Sequence, residues 1–458
     1  MLPGMFIKTF GCQMNEYDSE KLSVLLSSTH RMVSSVDEAN LILINTCSVR
    51  EKGEHKLRSL LGTLRELKEK RRELVIGVGG CVAQQEGRNI IRNNPFVDFV
   101  VGTHNLSLVP SLVERAREGA APAVAVDYRE EWEELPAEFA PSEQSPVQAL
   151  VSIQRGCNKN CSFCVVPTTR GREVSRAANE ILREVRLKVY AGAREVLLLG
   201  QTVNSYGRDL NPRYSFAKLI TEIAKIDGVK RIRFTSPHPA EVRTEFIQLY
   251  REIPQLAPHI HLPLQSGSDR ILRLMNRNYR VKRYLEIVDL LRAQCSEIAI
   301  STDIIVGFPT ESEADFEETL TVMRQVGYNS SYSFKYSKRP NTVALSQFEA
   351  TDEVPLAVAE ARLAQLQSLQ KELCERYHGS FIGSVVEVLV EGRHKKISSS
   401  MKGRIPQNVL TEVQGVTTDP SRLLGQIVRI HVEEAGSAGL RGTIAREVNG
   451  YDGKRARD

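Results

Sequence analysis

No stretch of this 458-residue chain reaches the ~18 consecutive apolar residues of a membrane-crossing helix. The N-terminal MLPGMFIKTFGCQ lacks the order of a secretory signal: a basic start, an apolar run, then small residues. Internal repeats of solenoid period are absent. So is a dinucleotide fingerprint, because GVGG at Gly77–Gly80 is followed by Val82 where the third glycine would stand. Aromatic residues are sparse and there is one tryptophan, Trp132. What the chain does have is eight cysteines. Without a secretory signal, they point to a reducing cytoplasm and to metal or cluster chemistry rather than disulfides. The reading is a cytoplasmic enzyme with no membrane partner.

At this length two to four domains are expected, since single cores rarely grow beyond ~250–300 residues. The formal charge is +5. It is unevenly spread: residues 119–148 hold seven acids and one base, Arg129, so this stretch carries −6 and leaves +11 on the rest. That excess suits a polyanionic partner.

GCNKNCSFC places Cys157, Cys161 and Cys164 on a short polar loop directly after the strand-like ALVSIQ. Soft thiolates select zinc, Cu(I) or iron–sulfur clusters. A closed structural zinc site takes four ligands, and this loop offers no fourth Cys or His. A cubane on three cysteines keeps one iron open for a ligand.

Residues 5–118 alternate strand-like and helical runs, which predicts an open parallel sheet with helices on its faces. Cys12, Cys47 and Cys81 each fall at a strand end, where such sheets line their ligand crevice. Three cysteines far apart in sequence can therefore converge; the alternative is three buried core thiols. The acidic 119–148 stretch, with Pro122, Pro136, Pro141 and Pro146, reads as a linker lying on a neighbouring domain and anchored by Trp132.

From Ala149 six strands alternate with helices, too few for an eightfold barrel and suited to an open (βα)6 partial barrel. Its strand ends carry Gln201, Ser236, Gln265, Ser266 and Asp303, which either face the mouth toward cofactor or substrate or cap the helices that follow. Residues 352–378 read as one amphipathic helix ended by Gly379. Short β-rich runs beyond it predict a small antiparallel barrel with a basic cluster, Arg393, Lys395, Lys396, Lys402 and Arg404, that either meets oligonucleotide or is a solvated edge. Cys295 and Cys374 lie inside helical patterns and read as core thiols. The fold class is thus α/β, divided as 1–118, a 119–148 linker, 149–378, a 379–448 barrel and a 449–458 tail.

With both cysteine triads in view, residues 5–448 resemble the methylthiotransferases of the radical S-adenosylmethionine superfamily. The resemblance rests on GCNKNCSFCVVPTTRGREVSR, LLLGQTVNSYG, HLPLQSGSDRILRLMNR and DIIVGFPTESEADFEET, and on the order of cluster domain, partial barrel and TRAM barrel. These segments are similar to the branch acting on N6-dimethylallyl adenosine 37, beside the anticodon, in tRNAs that read codons beginning with U. YSKRPNTVA departs from the family, which more often has a second proline and a glycine there.

The resemblance implies two 4Fe–4S clusters, one on Cys157, Cys161 and Cys164 that binds S-adenosylmethionine, and one on Cys12, Cys47 and Cys81 that carries sulfur. It implies a 5′-deoxyadenosyl radical to activate adenine C2, which no side chain can deprotonate. It also implies a TRAM barrel that binds tRNA, a reduced flavodoxin or ferredoxin-type electron donor, a sulfur donor and a monomeric enzyme. Arg170, Arg172 and Arg176 follow the cluster loop closely and are expected on phosphates of the anticodon arm, or in salt bridges. Competing readings are a sister methylthiotransferase, acting on threonylcarbamoyladenosine or a ribosomal-protein aspartate, and a non-catalytic iron–sulfur RNA-binding protein.

Overall fold

The apolar runs that end in cysteine become neighbouring strands of one sheet. In the computed structural model, which describes residues 2–48, 51–133, 135–136, 147–394, 397, 400–416 and 419–445, six parallel strands lie in the order Arg31–Met32, Gly4–Thr9, Leu41–Thr46, Val75–Gly80, Phe99–Val101, Ala123–Ala125. Leu41–Thr46 and Val75–Gly80 are buried throughout, as unbroken apolar runs are when helices cover both faces. On one face Ile42, Ile44, Ile76 and Val78 pack with Leu57, Leu61 and Leu64. On the other, Leu41, Leu43 and Val75 pack with Leu22, Leu26 and Leu112. The sixth strand corrects the linker reading: Ala123–Ala125 pairs with Phe99–Val101. Three small residues between prolines carry no alternation from which to read a strand.

The remaining described part of the linker wraps both domains. Trp132 is half-buried beneath the guanidinium groups of Arg155 and Arg176, 5.8 and 5.9 Å from its ring centre. Glu133 is buried and accepts from Ser107 N at 2.8 Å and Ser107 Oγ at 2.6 Å. Residues 137–146 of the linker and the 449–458 tail lie outside the described residues.

The central unit has six parallel strands in two three-stranded sheets. Gln148–Ser152, Glu195–Leu199 and Arg231–Phe234 form one, and His259–His261, Ala299–Val306 and Ser330–Lys335 the other. The sheets are joined where Ile232 N donates to Gln255 O at 2.7 Å and Ala257 N to Ile232 O at 3.0 Å. Strand alternation then splits the side chains. Val151, Val196 and Leu198 pack with the surrounding helices, whereas Leu150, Leu197 and Leu199 pack against Met14 and Tyr17 of the N-terminal helix Gln13–Leu25. Burial of each such side chain stabilises the docking by about 1.5–3 kcal/mol.

The long helix runs from Leu356 to Gly379. It starts later than the expected 352 because Pro355 favours the extended backbone before it, and Ala350–Asp352 forms a separate short turn. Within it Cys374 is buried, 3.7 Å from the His378 ring and 3.6 Å from Ser437 O. The C-terminal strands Val385–Arg393, Met401–Arg404, Leu410–Gln414, Gly439–Ile444 and Ile427–Gly436 close a barrel in that order. Four pairings are antiparallel, and Leu410–Gln414 with Gly439–Ile444 is parallel, the closure of an OB-like Greek key. This barrel docks at the amino-terminal ends of the central strands. Arg231 and Arg233 ion-pair with Glu195 and donate to Arg404 O at 3.0 Å and Ile405 O at 3.2 Å. Gln407 donates to Glu297 at 2.7 Å.

The seam between the first two units is ionic. Glu184, on the helix Ala178–Tyr190, is fully buried with Lys21 at 2.8 Å, Lys188 at 3.2 Å and the Arg176 guanidinium beside it. Tyr17 donates to its second oxygen at 3.3 Å, and Glu20 pairs with Lys188 at 2.5 Å. Burial alone would raise the Glu184 carboxyl; Lys188, Lys21 and Arg176 overcome it and hold the group down at about 2. A depressed carboxyl stabilises the fold above its unfolded value of 4.5, and that contribution is lost as pH falls from there toward about 2. Glu184→Gln leaves buried cations unmatched and should cost about 3–5 kcal/mol in denaturant unfolding at neutral pH. The difference from the parent should narrow in the same measurement at pH 3.

Candidate functional site

Cys12, Cys47 and Cys81 stand at the carboxyl ends of three adjacent strands, beside the point where strand order reverses. Two backbone devices bring them together. Gly11 (φ +151°) and Gly80 (φ +91°) each precede a cysteine, and a Cβ on Gly11 would lie 2.8 Å from Cys47 Cβ, one on Gly80 2.3 Å from Thr46 O. Buried Asn15 and Asn45 lock the turn: Asn15 Nδ2 donates to Asn45 Oδ1 and Thr46 O, both at 3.0 Å, and Asn45 Nδ2 returns to Asn15 O at 2.8 Å. Cys12 keeps solvent-facing surface while Cys47 and Cys81 are buried. A hydrogen bond from Cys47, outweighing burial, with Arg170 and the Asn15 and Met14 amides adding to it, holds the Cys12 thiol down at about 6. Burial pushes the Cys81 thiol up.

The barrel triad sits on a loop closed by Cys157 N donating to Gly171 O at 3.1 Å. Gly156 (φ +72°) allows that closure, since a Cβ there would meet Arg172 O. Ser162 pins the loop from within, donating from N to Met275 O at 3.0 Å and from Oγ to Leu274 O at 2.8 Å. Three groups reach the sulfurs: Thr202 Oγ1 lies 3.2 Å from Cys157 Sγ, Lys159 N donates to Cys157 Sγ at 3.4 Å, and Arg277 Nη1 donates to Cys161 Sγ at 3.3 Å. Burial, and then the neighbouring Cys161, push the Cys164 thiol up to about 12; burial also raises Cys157. Such thiols ionise when a bound metal supplies positive charge.

Among the described residues no three His, Cys, Asp or Glu side chains are gathered to hold a single metal ion. The thiols of a cubane bind different irons and need no such convergence. Two triads of soft donors, each with hydrogen-bond donors to sulfur, fit iron–sulfur clusters. Ser48 Oγ next to Cys47 and Gln201 Oε1 at the end of its strand are buried without hydrogen-bond partners among the described residues.

Several expected contacts move. Arg170 and Arg176 are buried, Arg170 on Asp18 at 2.8 Å and Arg176 on Glu184 and Glu180. Both are therefore corrected from phosphate contacts to ion pairs at the domain seam; Arg172 alone of the three is exposed. Ser266 is fully buried, accepting from Ser268 N at 3.2 Å beside Thr319, so it shapes the loop before the next helix rather than facing the mouth. Gln201 and Ser236 are half-buried at strand ends, and Ser236 (φ +53°) and Gln265 (φ +72°) hold left-handed backbone that non-glycine residues rarely adopt. Asp303 is half-buried, with Oδ2 3.3 Å from His261 Nε2, whose Nδ1 lies 3.0 Å from Ser301 Oγ. Arg393 is exposed, Lys402 half-buried, and Arg404 pairs with Glu391 at 3.4 Å; Lys395 and Lys396 lie outside the described residues. Sequence reasoning missed Thr202, Arg277 and His261. Only His261 left a signal, the alternation in HIHL that puts His259 and His261 on one face.

Comparison with known proteins is consistent across the chain. Residues 151–323 match the Radical SAM superfamily, 4–102 the Uncharacterized protein family UPF0004, and 379–445 the TRAM domain. A protein of Geobacter metallireducens named tRNA-2-methylthio-N(6)-dimethylallyladenosine synthase is 45% identical over 442 residues, covering 96% of this chain and 98% of its own length. One of the same name from Syntrophobacter fumaroxidans is 44% identical over 442 residues, covering 96% and 95%. Among solved structures, the radical S-adenosylmethionine methyltransferase TsrM from Kitasatospora setae, with cobalamin and a [4Fe-4S] cluster bound, aligns with a TM-score of 0.55 at 13% identity, covering 76% of this chain and 74% of that one. That likeness shows the fold.

The glycine before Cys81 gives a local test. Gly80→Ala should displace Cys81 and Thr46 and lower the iron and sulfide bound after anaerobic reconstitution by about half, from about eight irons per chain for two cubanes to about four. The barrel triad, on a separate loop, should keep its share.

Proposed function

The chain belongs to the tRNA-2-methylthio-N(6)-dimethylallyladenosine synthase family, and from that premise we propose that it replaces the C2 hydrogen of N6-dimethylallyl adenosine 37 with a methylthio group in tRNAs reading codons that begin with U. Its cofactors are two 4Fe–4S clusters and S-adenosylmethionine. When bound, they supply the chemistry: one S-adenosylmethionine gives its methyl group to sulfur, and a second, cleaved reductively, carries the C2 hydrogen away as 5′-deoxyadenosine. The observation that carries this reading is the pairing of two independent thiol triads on domains locked by a buried ionic seam. One triad alone offers either a radical source or a sulfur site.

The chain's own residues hold and shape these sites. We assign Cys157, Cys161 and Cys164 to one cluster and Cys12, Cys47 and Cys81 to the other. The Lys159 amide and Arg277 donate to the barrel sulfurs, Thr202 Oγ1 contacts that of Cys157, and together they fix the orientation of these sulfurs. Gln201, Ser236, Gln265 and Asp303 stand at the strand ends, where cofactor and unstacked base would be held. Met14 and Tyr17 cover the strand faces behind them and keep water away.

The RNA partner is tRNA. On our reading Arg172, beside the cluster loop, and Arg393, on the C-terminal barrel, meet its phosphates, with Lys395 and Lys396 next in sequence. No helix among the described residues is long and apolar enough to cross a membrane. We place the reaction in the cytoplasm, on a monomer supplied with electrons by a reduced flavodoxin or ferredoxin-type protein and with sulfur by a separate donor.

Anaerobic turnover with dithionite and tRNA carrying the dimethylallyl group tests the division of labour. Cys47→Ala should still form 5′-deoxyadenosine but no methylthio nucleoside, and Cys161→Ala should form neither. Full methylthiolation by Cys47→Ala would remove the N-terminal cysteines from sulfur chemistry.

A further inference from the structure

Arg170 is a buried cation that serves neither RNA nor the barrel's own cluster loop. It ends the short helix Val166–Arg170, which begins two residues after Cys164. The helix leaves the barrel site and delivers its last side chain into the N-terminal one. There Nη2 lies 2.8 Å from Asp18 Oδ2, on the helix that Cys12 starts, and the short helix packs against Cys81–Glu86, so that the guanidinium charge acts on the Cys81 and Cys12 thiols. The carbonyls that close the short helix are held by residues outside the barrel. Tyr128 donates to Thr168 O, Thr103 Oγ1 to Thr169 O at 2.7 Å, and His104 Nε2 to Arg170 O at 2.9 Å. Burial, followed by the charge of Arg155, holds His104 neutral at about 4. Its Nδ1 is then free to accept from Arg129 N at 3.4 Å while Nε2 donates.

A salt bridge with Asp18 alone would not need the thiols nearby. The placement puts one positive charge beside the ligands of the N-terminal site. Net charge and hydrogen bonds to sulfur are what set a cluster's reduction potential. A cation favours the reduced, more negative state.

We propose that Arg170, contributed by the barrel, is the charge-setting residue of the N-terminal cluster, raising its reduction potential and making that site complete only when the two domains are docked. This rests on the reading of Cys12, Cys47 and Cys81 as ligands.

The experiment uses the full chain carrying Cys157→Ala, Cys161→Ala and Cys164→Ala, so that the N-terminal cluster alone is loaded. Iron content and the electron paramagnetic resonance signal of the reduced cluster establish its presence. Its midpoint potential is then compared in the parent, Arg170→Lys, Arg170→Gln and Asp18→Asn. Arg170→Gln should lower the potential, Arg170→Lys should fall between it and the parent, and Asp18→Asn should raise it. A merely structural ion pair is broken by Arg170→Gln and Asp18→Asn alike, so shifts of the same sign, or none, overturn the proposal. If Arg170→Gln loses its cluster, Arg170→Lys and Asp18→Asn decide by the same opposition of sign. Absence of a cluster in the parent triple variant would instead defeat the ligand reading itself.

Discussion

Everything at the two thiol sites hangs on charges sealed between the first helix and the barrel. Glu184 lies out of water among Lys21, Lys188 and Arg176, with Glu20 and Glu180 completing a balance of three against three. Such a seam is a poor source of net stability, because desolvating five of these six ions offsets much of their attraction. It does fix register. Apolar surfaces such as Met14 and Tyr17 on Leu197 and Leu199 tolerate sliding, whereas a network of shared ion pairs is satisfied in a single alignment. The helix so aligned is the one that begins just after Cys12, and the barrel helix it meets, Ala178–Tyr190, is the second helix after the cysteine loop.

Much of this was legible in the sequence, for a physical reason. A thiol at the end of an apolar run lies at the carboxyl edge of a parallel sheet, so three such runs put Cys12, Cys47 and Cys81 on one edge, where they can converge. The Cys157–Cys164 spacing is local and needed no fold at all. The strand count of the partial barrel followed from alternation of long, well-marked runs.

What the sequence hid is direction. Arg170, Arg172 and Arg176 lie within seven positions, yet two of them turn into the seam and one faces solvent, and no pattern in TTRGREVSR distinguishes them. Asp18, the partner of Arg170, lies 152 positions away and leaves no local trace, while Glu180 and Glu184, the partners of Arg176, are two of several acids and bases on the next helix. Ser266 and Asp303 are equally polar strand-end residues, but Thr319 on a facing helix draws the first inward. Arg277 reaches Cys161 from more than a hundred positions away. Ala123–Ala125 was missed for the opposite reason, being too short and plain to carry any pattern.

The C-terminal barrel is bolted to the floor of the central one, through Arg231, Arg233 and Gln407, while the cysteine loop opens at its roof. A five-residue strand separates the two levels by roughly 17 Å. A nucleic acid that touches both must run down the outer wall over at least that span. If Arg172 and Arg393 both meet phosphate, as proposed, the fold is a caliper with fixed jaws, and an isolated nucleotide at the mouth would close only half of the grip.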